Sequence, residues 1–319
     1  MANMKAFLTL PLLLAGLSLL TAGCAQSAQF EVSDLTIHPL EVMVGSSVKV
    51  TVEVANTGDA AGSHSVTLRL NGEVVETREV SLEAGGTAQV AFSLTPQEQG
   101  VYQVEVDALQ GSFTATLGPA EVIAQASQRM AGVSSFHFVL EHEGAGTLLA
   151  AGLEMQRAVG DAARPDRLRA TVNGTAMGMP VQVEVVLIGD TVYMTNPLPP
   201  GNWQSSSTGL SPVGFFDPQT GMAALLKEVS GLTPLGGAEV EGVAAYHLSG
   251  RVAASALESI TGSSLPGAEV EVELWVGKED FYLLQAKLTG QITPTEGTGM
   301  VRWLRFSQFN REISIEPPL

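Results

Sequence analysis

Gly118-Pro-Ala-Glu-Val-Ile-Ala-Gln-Ala-Ser-Gln-Arg-Met-Ala-Gly132 is the stretch at which the chain changes its hydrophobic period. Val122, Ile123, Ala126 and Met130 recur at helical spacing, and Gly132 marks a stop. From Phe30 to about Leu117 the period is two. In Ser47-Val-Lys-Val-Thr-Val-Glu-Val-Ala55 the alternation puts Val48, Val50, Val52 and Val54 on one face of a strand. Val66-Thr-Leu-Arg-Leu70 alternates again. Asn71-Gly72 then supplies the residue pair that best accepts two positive φ angles in a hairpin turn. Gln89 to Leu94 and Val101 to Val106 repeat the pattern, and Gly111 opens a last strand around Phe113. About seven short strands in fewer than 90 residues predict an immunoglobulin-like β-sandwich. With no tryptophan and no cysteine pair in this segment, an antibody-type core is excluded.

C-terminal to the helix, Phe136, Phe138 and Leu140 alternate with His137 and Glu141. Val181, Val183, Val185 and Leu187 alternate with Gln182 and Glu184, and Val270 to Val276 with Glu271 and Glu273. These are half-buried antiparallel strands with one wet face. Asp217-Pro218 is expected to open a helix whose apolar stripe is Met222, Leu225, Leu226 and Val229, and Ala253 to Thr261 to form a shorter one. Asn196 to Pro212 reads as a long loop carrying Trp203. Few helices against a long meander predict an α+β second domain.

At the other end of the chain, Lys5 precedes an apolar run from Ala6 to Leu20, which has the proportions of a signal peptide and is short for a membrane span. Cys24 is the only cysteine, so neither a disulfide nor a Cys₂His₂ zinc site can form. The 16 basic and 33 acidic side chains, a formal net charge of -17, repel phosphate backbones and exclude nucleic acid as a partner. The sandwich segment alone carries 12 acids against three bases, a solvated acidic surface.

Three resemblances follow from particular phrases. Leu20-Thr21-Ala22-Gly23-Cys24 resembles the bacterial lipobox, with Thr21 where leucine is commoner. That resemblance implies that residues 1–23 are a lipoprotein signal peptide, that Cys24 is diacylated, and that residues 24–29 tether the chain to the outer face of the cytoplasmic membrane. Two acyl chains suffice for stable anchoring. Val32-Ser-Asp-Leu35, Val54-Ala-Asn-Thr-Gly58, Leu70-Asn-Gly-Glu-Val74 and Gly100-Val-Tyr-Gln-Val104 resemble the CARDB type of immunoglobulin-like domain, over residues 30–117. Such a domain implies a spacer or adhesion role, with an envelope protein as its candidate partner.

The third resemblance covers residues 120–319. Val133-Ser-Ser-Phe-His137, Arg164-Pro-Asp-Arg-Leu168, Val185-Val-Leu-Ile-Gly-Asp-Thr-Val-Tyr193 with Asn202-Trp203, and Asp217-Pro-Gln-Thr-Gly-Met-Ala-Ala-Leu-Leu226 carry it. Val240-Glu-Gly-Val-Ala-Ala-Tyr246, Leu274-Trp-Val276 and Phe306-Ser307 to Ile315-Glu-Pro317 continue it. In order and spacing these phrases resemble the LppX/LprG-type lipoproteins, whose fold is akin to the LolA and LolB carriers. The resemblance implies a half-barrel: a curved antiparallel sheet with helices on its concave face, binding an acylated lipid or glycolipid and carrying it within the cell envelope.

On that reading Phe136, Phe138, Leu140, Val181, Val183, Val185 and Leu187 line the apolar wall and Met222, Leu225 and Leu226 form the lid, with Met177 and Met179 as adaptable additions. A closed core built from the same side chains is the competing reading. It leaves a non-enzymatic adhesion or scaffold lipoprotein; a lipid-sensing accessory subunit would share the cavity. No nucleophile elbow, phosphate loop, dinucleotide fingerprint or zinc-protease helix occurs, and neither a catalytic residue, a metal nor a cofactor is called for. His137 and His142 fall on opposite faces of one strand, and Glu271 and Glu273, about 7 Å apart on a wet face, read as solvation.

Overall fold

The computed structural model describes residues 26–144, 146–148, 152–197, 200–207, 216–217 and 221–318. The leader and Cys24 lie outside the described residues. The chain divides into two compact units, residues 1–116 and 117–319.

The first unit packs two sheets face to face. One has the order β1 (Phe30–His38), β3 (Val48–Asn56), β6 (Thr87–Leu94). The other has the order β2 (Glu41–Met43), β8 (Leu109–Thr116), β7 (Gly100–Val106), β4 (Gly62–Leu70), β5 (Glu73–Leu82). Eight strands stand where about seven were expected, and Gly111 lies inside β8 instead of opening it. Val48, Val50, Val52 and Val54 are all buried against Phe92 and Phe113, so the alternation read from the sequence is the core-facing register. Asn71 and Gly72 take φ of 52° and 86° between paired Leu70 and Glu73, the two positive values their turn requires. Asn56 is buried because its amide serves five backbone groups. It donates to the carbonyls of Ala60, Leu82 and Glu83 and accepts from the N–H groups of Gln29 and Gly58.

The second unit is mostly β, with few helices. Its strands are β9 (Ser135–Glu143), β10 (Thr147–Leu148), β11 (Leu153–Ala163), β12 (Arg167–Ala176), β13 (Met179–Ile188), β14 (Thr191–Pro197), β15 (Pro200–Ser207), β16 (Ser230–Val240), β17 (Val243–Ala253), β18 (Glu269–Gly277), β19 (Leu283–Thr289) and β20 (Val301–Ser307). They form one antiparallel sheet in the order β15-β14-β13-β12-β11-β9-β20-β19-β18-β17-β16, with the short β10 beside β11. The expected meander is thus two meanders, joined where the last strand pairs with the first: Phe306 stands opposite Phe138 and Leu304 opposite Leu140. Trp203 belongs to strand β15, opposite Thr195, and not to a loop.

The helices lie on one face of this sheet. Helix α1 (Pro119–Ala131) has Pro119 in its first turn and buries Val122, Ile123, Ala126, Ser127 and Met130. Helix α2 is Met222–Glu228, capped by Gly221. The expected start at Asp217 is therefore corrected: Asp217 precedes the helix, and its carbonyl accepts the Gly221 N–H at 2.9 Å. Ser127 of α1 donates a buried 2.6 Å hydrogen bond to the Ala223 carbonyl of α2, tying the two together. A 3₁₀ turn (Ala254–Leu257) leads into α3 (Glu258–Thr261). All three regions contribute to one core with Phe136, Leu168, Leu248, Val272, Leu274 and Phe306 of the sheet.

Candidate functional site

Strand alternation and register bring the expected wall together. On the helix-bearing face, Phe136 stands opposite Ala162, Ala162 opposite Leu168, and Leu168 opposite Leu187. The next row is Phe138, Gly160, Ala170, Val185 and Met194, and the one after it Leu140, Ala158, Val172 and Val183. Val181 follows, opposite Gly174. The seven strand candidates therefore share one face, arranged on either side of β11, which in these first three rows presents only Ala158, Gly160 and Ala162. The rows run about 19 Å across β9, β11, β12, β13 and β14, at about 4.8 Å per strand.

These side chains serve two clusters. Phe136, Met222 and Leu226 are buried in the main core under α1 and α2, with Leu187 and Leu225 packed at its edge. Val183 is buried in a second cluster with Leu153, Ala158 and Val172, around which Leu140, Met155, Val181, Val185 and Met194 stay half-buried. Phe138 touches both. The structure thus divides the ten candidates: the Phe136 end is packed sheet against helix, and the Val183 end continues as an apolar strip. Met177 is corrected: it sits on the turn between β12 and β13, 93% exposed, and does not line the wall, whereas Met179, the first residue of β13, is 48% exposed at the end of the wall in a row with Leu153 and Ala176. Leu153, Met155, Val172 and Met194 are strip residues that the sequence reading missed. In β11 a bulge between Met155 and Arg157 breaks the alternation, and in β12 Ala170 and Gly174 dilute it.

The strip is pinched where β11 meets β12. A side-chain carbon at Gly160 would lie 2.1 Å from the Arg169 carbonyl oxygen and 2.8 Å from Ala170 Cβ, so only glycine fits. At the end of the strip away from α1 is a buried polar cluster. Arg302, opposite His142, pairs with Glu296 and donates to the Gly290 carbonyl at 3.1 Å. Glu296 also accepts the N–H groups of Ile292 and Thr293, both at 2.9 Å. Burial works to raise the Glu296 carboxyl, but hydrogen bonds from Arg302 and the loop amides outweigh it and hold the group below the usual carboxylate range. His142 bonds the Met155 carbonyl at 3.0 Å; burial, reinforced by the nearby Arg302 charge, lowers its pKa.

The opposite face is charged. Glu141 accepts from Arg157 at 3.0 Å and Arg305 at 2.8 Å, and these bonds lower its pKa. Glu273 accepts from His247 at 2.8 Å and Lys287 at 3.1 Å, and Glu271 lines a hollow on this face with it. His137 pairs with Asp161 at 2.9 Å, on the face opposite to His142. Among the described residues no group of three or more His, Cys, Asp or Glu is placed to hold a metal ion. Nor is any helix among them long and apolar enough to cross a membrane.

A family model described as LppX_LprAFG lipoprotein matches residues 118–315, more than half of the chain, which are the residues that build this sheet and its helices. The chain belongs to the LppX_LprAFG lipoprotein family. A second model, CARDB, matches residues 27–112, the sandwich of this LppX_LprAFG lipoprotein. The lipoarabinomannan carrier protein LprG of Mycolicibacterium smegmatis is 25% identical to it over 172 residues, 52% of this chain and 70% of that protein. The crystal structure of LprF from Mycobacterium bovis matches with a TM-score of 0.50 at 17% identity, covering 63% of this chain and 96% of LprF. That of LppX from Mycobacterium tuberculosis matches with a TM-score of 0.45 at 18% identity, over 62% of this chain and 97% of LppX.

Proposed function

We propose that this lipoprotein binds an acylated lipid or glycolipid on the apolar strip and carries it within the cell envelope. The observation that carries the reading is the continuation of the packed core, beyond the helices, as the half-buried side chains of Phe138, Leu140, Val181, Val185 and Met194. An acyl chain of a dozen methylenes leaves a bilayer at a cost of about 10 kcal/mol, at about 0.8 per CH₂, so a carrier must offer apolar surface of matching extent. Five strands of such surface with a floor of Ala158, Gly160 and Ala162 provide it. The crowding at Gly160 supports a strongly curved sheet whose inner side is the strip, a half-barrel with the helices on its concave face. The name of LprG, a lipoarabinomannan carrier, favours a glycolipid.

In this reading residues 1–23 are the signal peptide, and Cys24 and the tether to residue 29 hold the chain to the outer face of the cytoplasmic membrane. The sandwich of residues 30–117 spaces the carrier, residues 120–319, from that membrane and offers a surface to an envelope protein. The chemistry asked of the protein is burial alone, with no catalytic group. Native mass spectrometry of the full chain, purified gently from its own envelope, tests the proposal. Adducts of lipid mass are expected; a lipid-free chain that also rejects added fluorescent acyl lipid would overturn it. For the anchor, release of a Cys24→Ser variant to the medium is expected, and a variant that stays membrane-bound would refute acylation at that residue.

A further inference from the structure

The turn between β12 and β13 carries two apolar side chains where a soluble protein gains nothing from them. Met177 is 93% exposed and Met179 48% exposed. Met177 also holds φ at 50°, followed by Gly178 at 76°, the paired positive values of a tight hairpin turn. Asn or Gly adopts that conformation with least strain, so methionine at this position is a conformational choice against stability. Its side chain has to be explained by something other than folding.

The surroundings narrow the explanation. The sequence from Ala170 to Val183 contains no charged residue, and neither does the stretch from Gly144 to Leu153, in a chain of net charge -17. Pairing brings their ends together: Leu153 stands opposite Ala176, and Ala176 opposite Met179. Leu153, directly beneath this tip, is a buried member of the strip cluster with Val183 and Val172. The exposed methionines are therefore continuous with the strip through Leu153. An uncharged apolar tip meets an anionic bilayer without the repulsion that the rest of the surface experiences, and unbranched thioether side chains adapt to disordered acyl tails.

We propose that Met177 and Met179 form the part of this domain that enters a lipid surface, so that acyl chains pass between the bilayer and the strip beneath the tip. The inference rests on the lipid-carrier reading and adds to it the end at which exchange occurs. The test uses the full chain carrying Cys24→Ser, which leaves one thiol for an environment-sensitive dye at Met177→Cys or, as control, at Asp190→Cys on the exposed turn after β13. Vesicles of phosphatidylcholine and phosphatidylglycerol are added, with or without bromine-labelled tails. A blue shift with quenching by the brominated tails is expected at 177 and not at 190.

A second measurement follows transfer of fluorescent acyl lipid between vesicles. Met177→Asp, which keeps a residue suited to the left-handed conformation, is expected to slow transfer about tenfold while equilibrium binding of a water-soluble fluorescent fatty acid stays unchanged. Equal dye responses at the two sites, no response at 177, or a response at 177 only when envelope proteins are added would overturn the inference and leave the carrier reading standing. Failure of the unsubstituted chain to bind the fatty acid would instead overturn the carrier reading.

Discussion

Glu296→Ala tests the buried end of the strip. In the native chain the Glu296 and Arg302 side chains are 2% and 7% exposed, and the carboxylate also receives the backbone N–H groups of Ile292 and Thr293. Removing it leaves a guanidinium buried without its counter-charge, for which the cost is about 3–5 kcal/mol. Two loop amides lose their acceptor as well, and water admitted to the vacated space recovers part of that loss. For a domain of some two hundred residues, about 4 kcal/mol corresponds to a fall in melting temperature of roughly 8–16 °C.

The assay is urea unfolding followed by tryptophan fluorescence. Trp203, Trp275 and Trp303 all lie in the second unit and none in the sandwich, so the signal reports the unit that contains the pair. The decisive comparison is Glu296→Leu with Arg302→Leu. If the penalty arises from an orphaned charge, the double variant unfolds at higher urea than Glu296→Ala, because an apolar pair carries no desolvation cost. A double variant no more stable than the single, or a single variant within about 1 kcal/mol of the native chain, would refute this account.

Three further outcomes follow from the same geometry. Because burial lowers the His142 pKa from its ordinary 6.5, the unfolded chain binds the extra proton. That share of stability is present above pH 6.5 and lost as the pH falls below it, and His142→Gln flattens a urea-midpoint profile measured across this range; an unchanged slope counts against the assignment. Gly160→Ala places a carbon 2.1 Å from the Arg169 carbonyl and costs about 2–3 kcal/mol by the same tryptophan assay, whereas a cost near zero would show that β11 and β12 separate freely. Leu140→Gln with Val185→Gln, both half-buried in the strip, weakens binding of a fluorescent fatty acid about tenfold with folding intact, while Phe136→Ala, 1% exposed, costs about 3–5 kcal/mol of stability. Fatty-acid binding unaffected by the paired glutamines would show that the cargo lies elsewhere.

Much of the site was legible because a strand's side chains alternate whatever its neighbours are. Period two assigned Phe136, Phe138 and Leu140 to one face of β9 and Val181, Val183, Val185 and Leu187 to one face of β13, and the phrase order carried the family. The same rule failed where its premise failed. The bulge after Met155 reverses the alternation in β11, and Ala158, Gly160 and Ala162 are too small to register as apolar signal although they shape the floor of the strip. Met177 fits the hydrophobic pattern of a wall, yet it belongs to the tight turn before β13 and is exposed there. Asp217 resembled a helix cap, but the helix begins at Met222 with Gly221 as its cap.

What the sequence by itself determined was local: where the period changes at Gly118, which face of each strand is apolar, and the hairpin at Asn71-Gly72. Those properties depend on residues a few positions apart. Only the tertiary structure decided that β20 pairs with β9, more than 150 residues earlier, and so sets Phe306 beside Phe138. It alone also divided one apolar face into a packed core under α1 and α2 and a strip beyond them. Which strands become neighbours, and how far a helix reaches across them, depends on the packing of the whole unit, and no window of the sequence contains it.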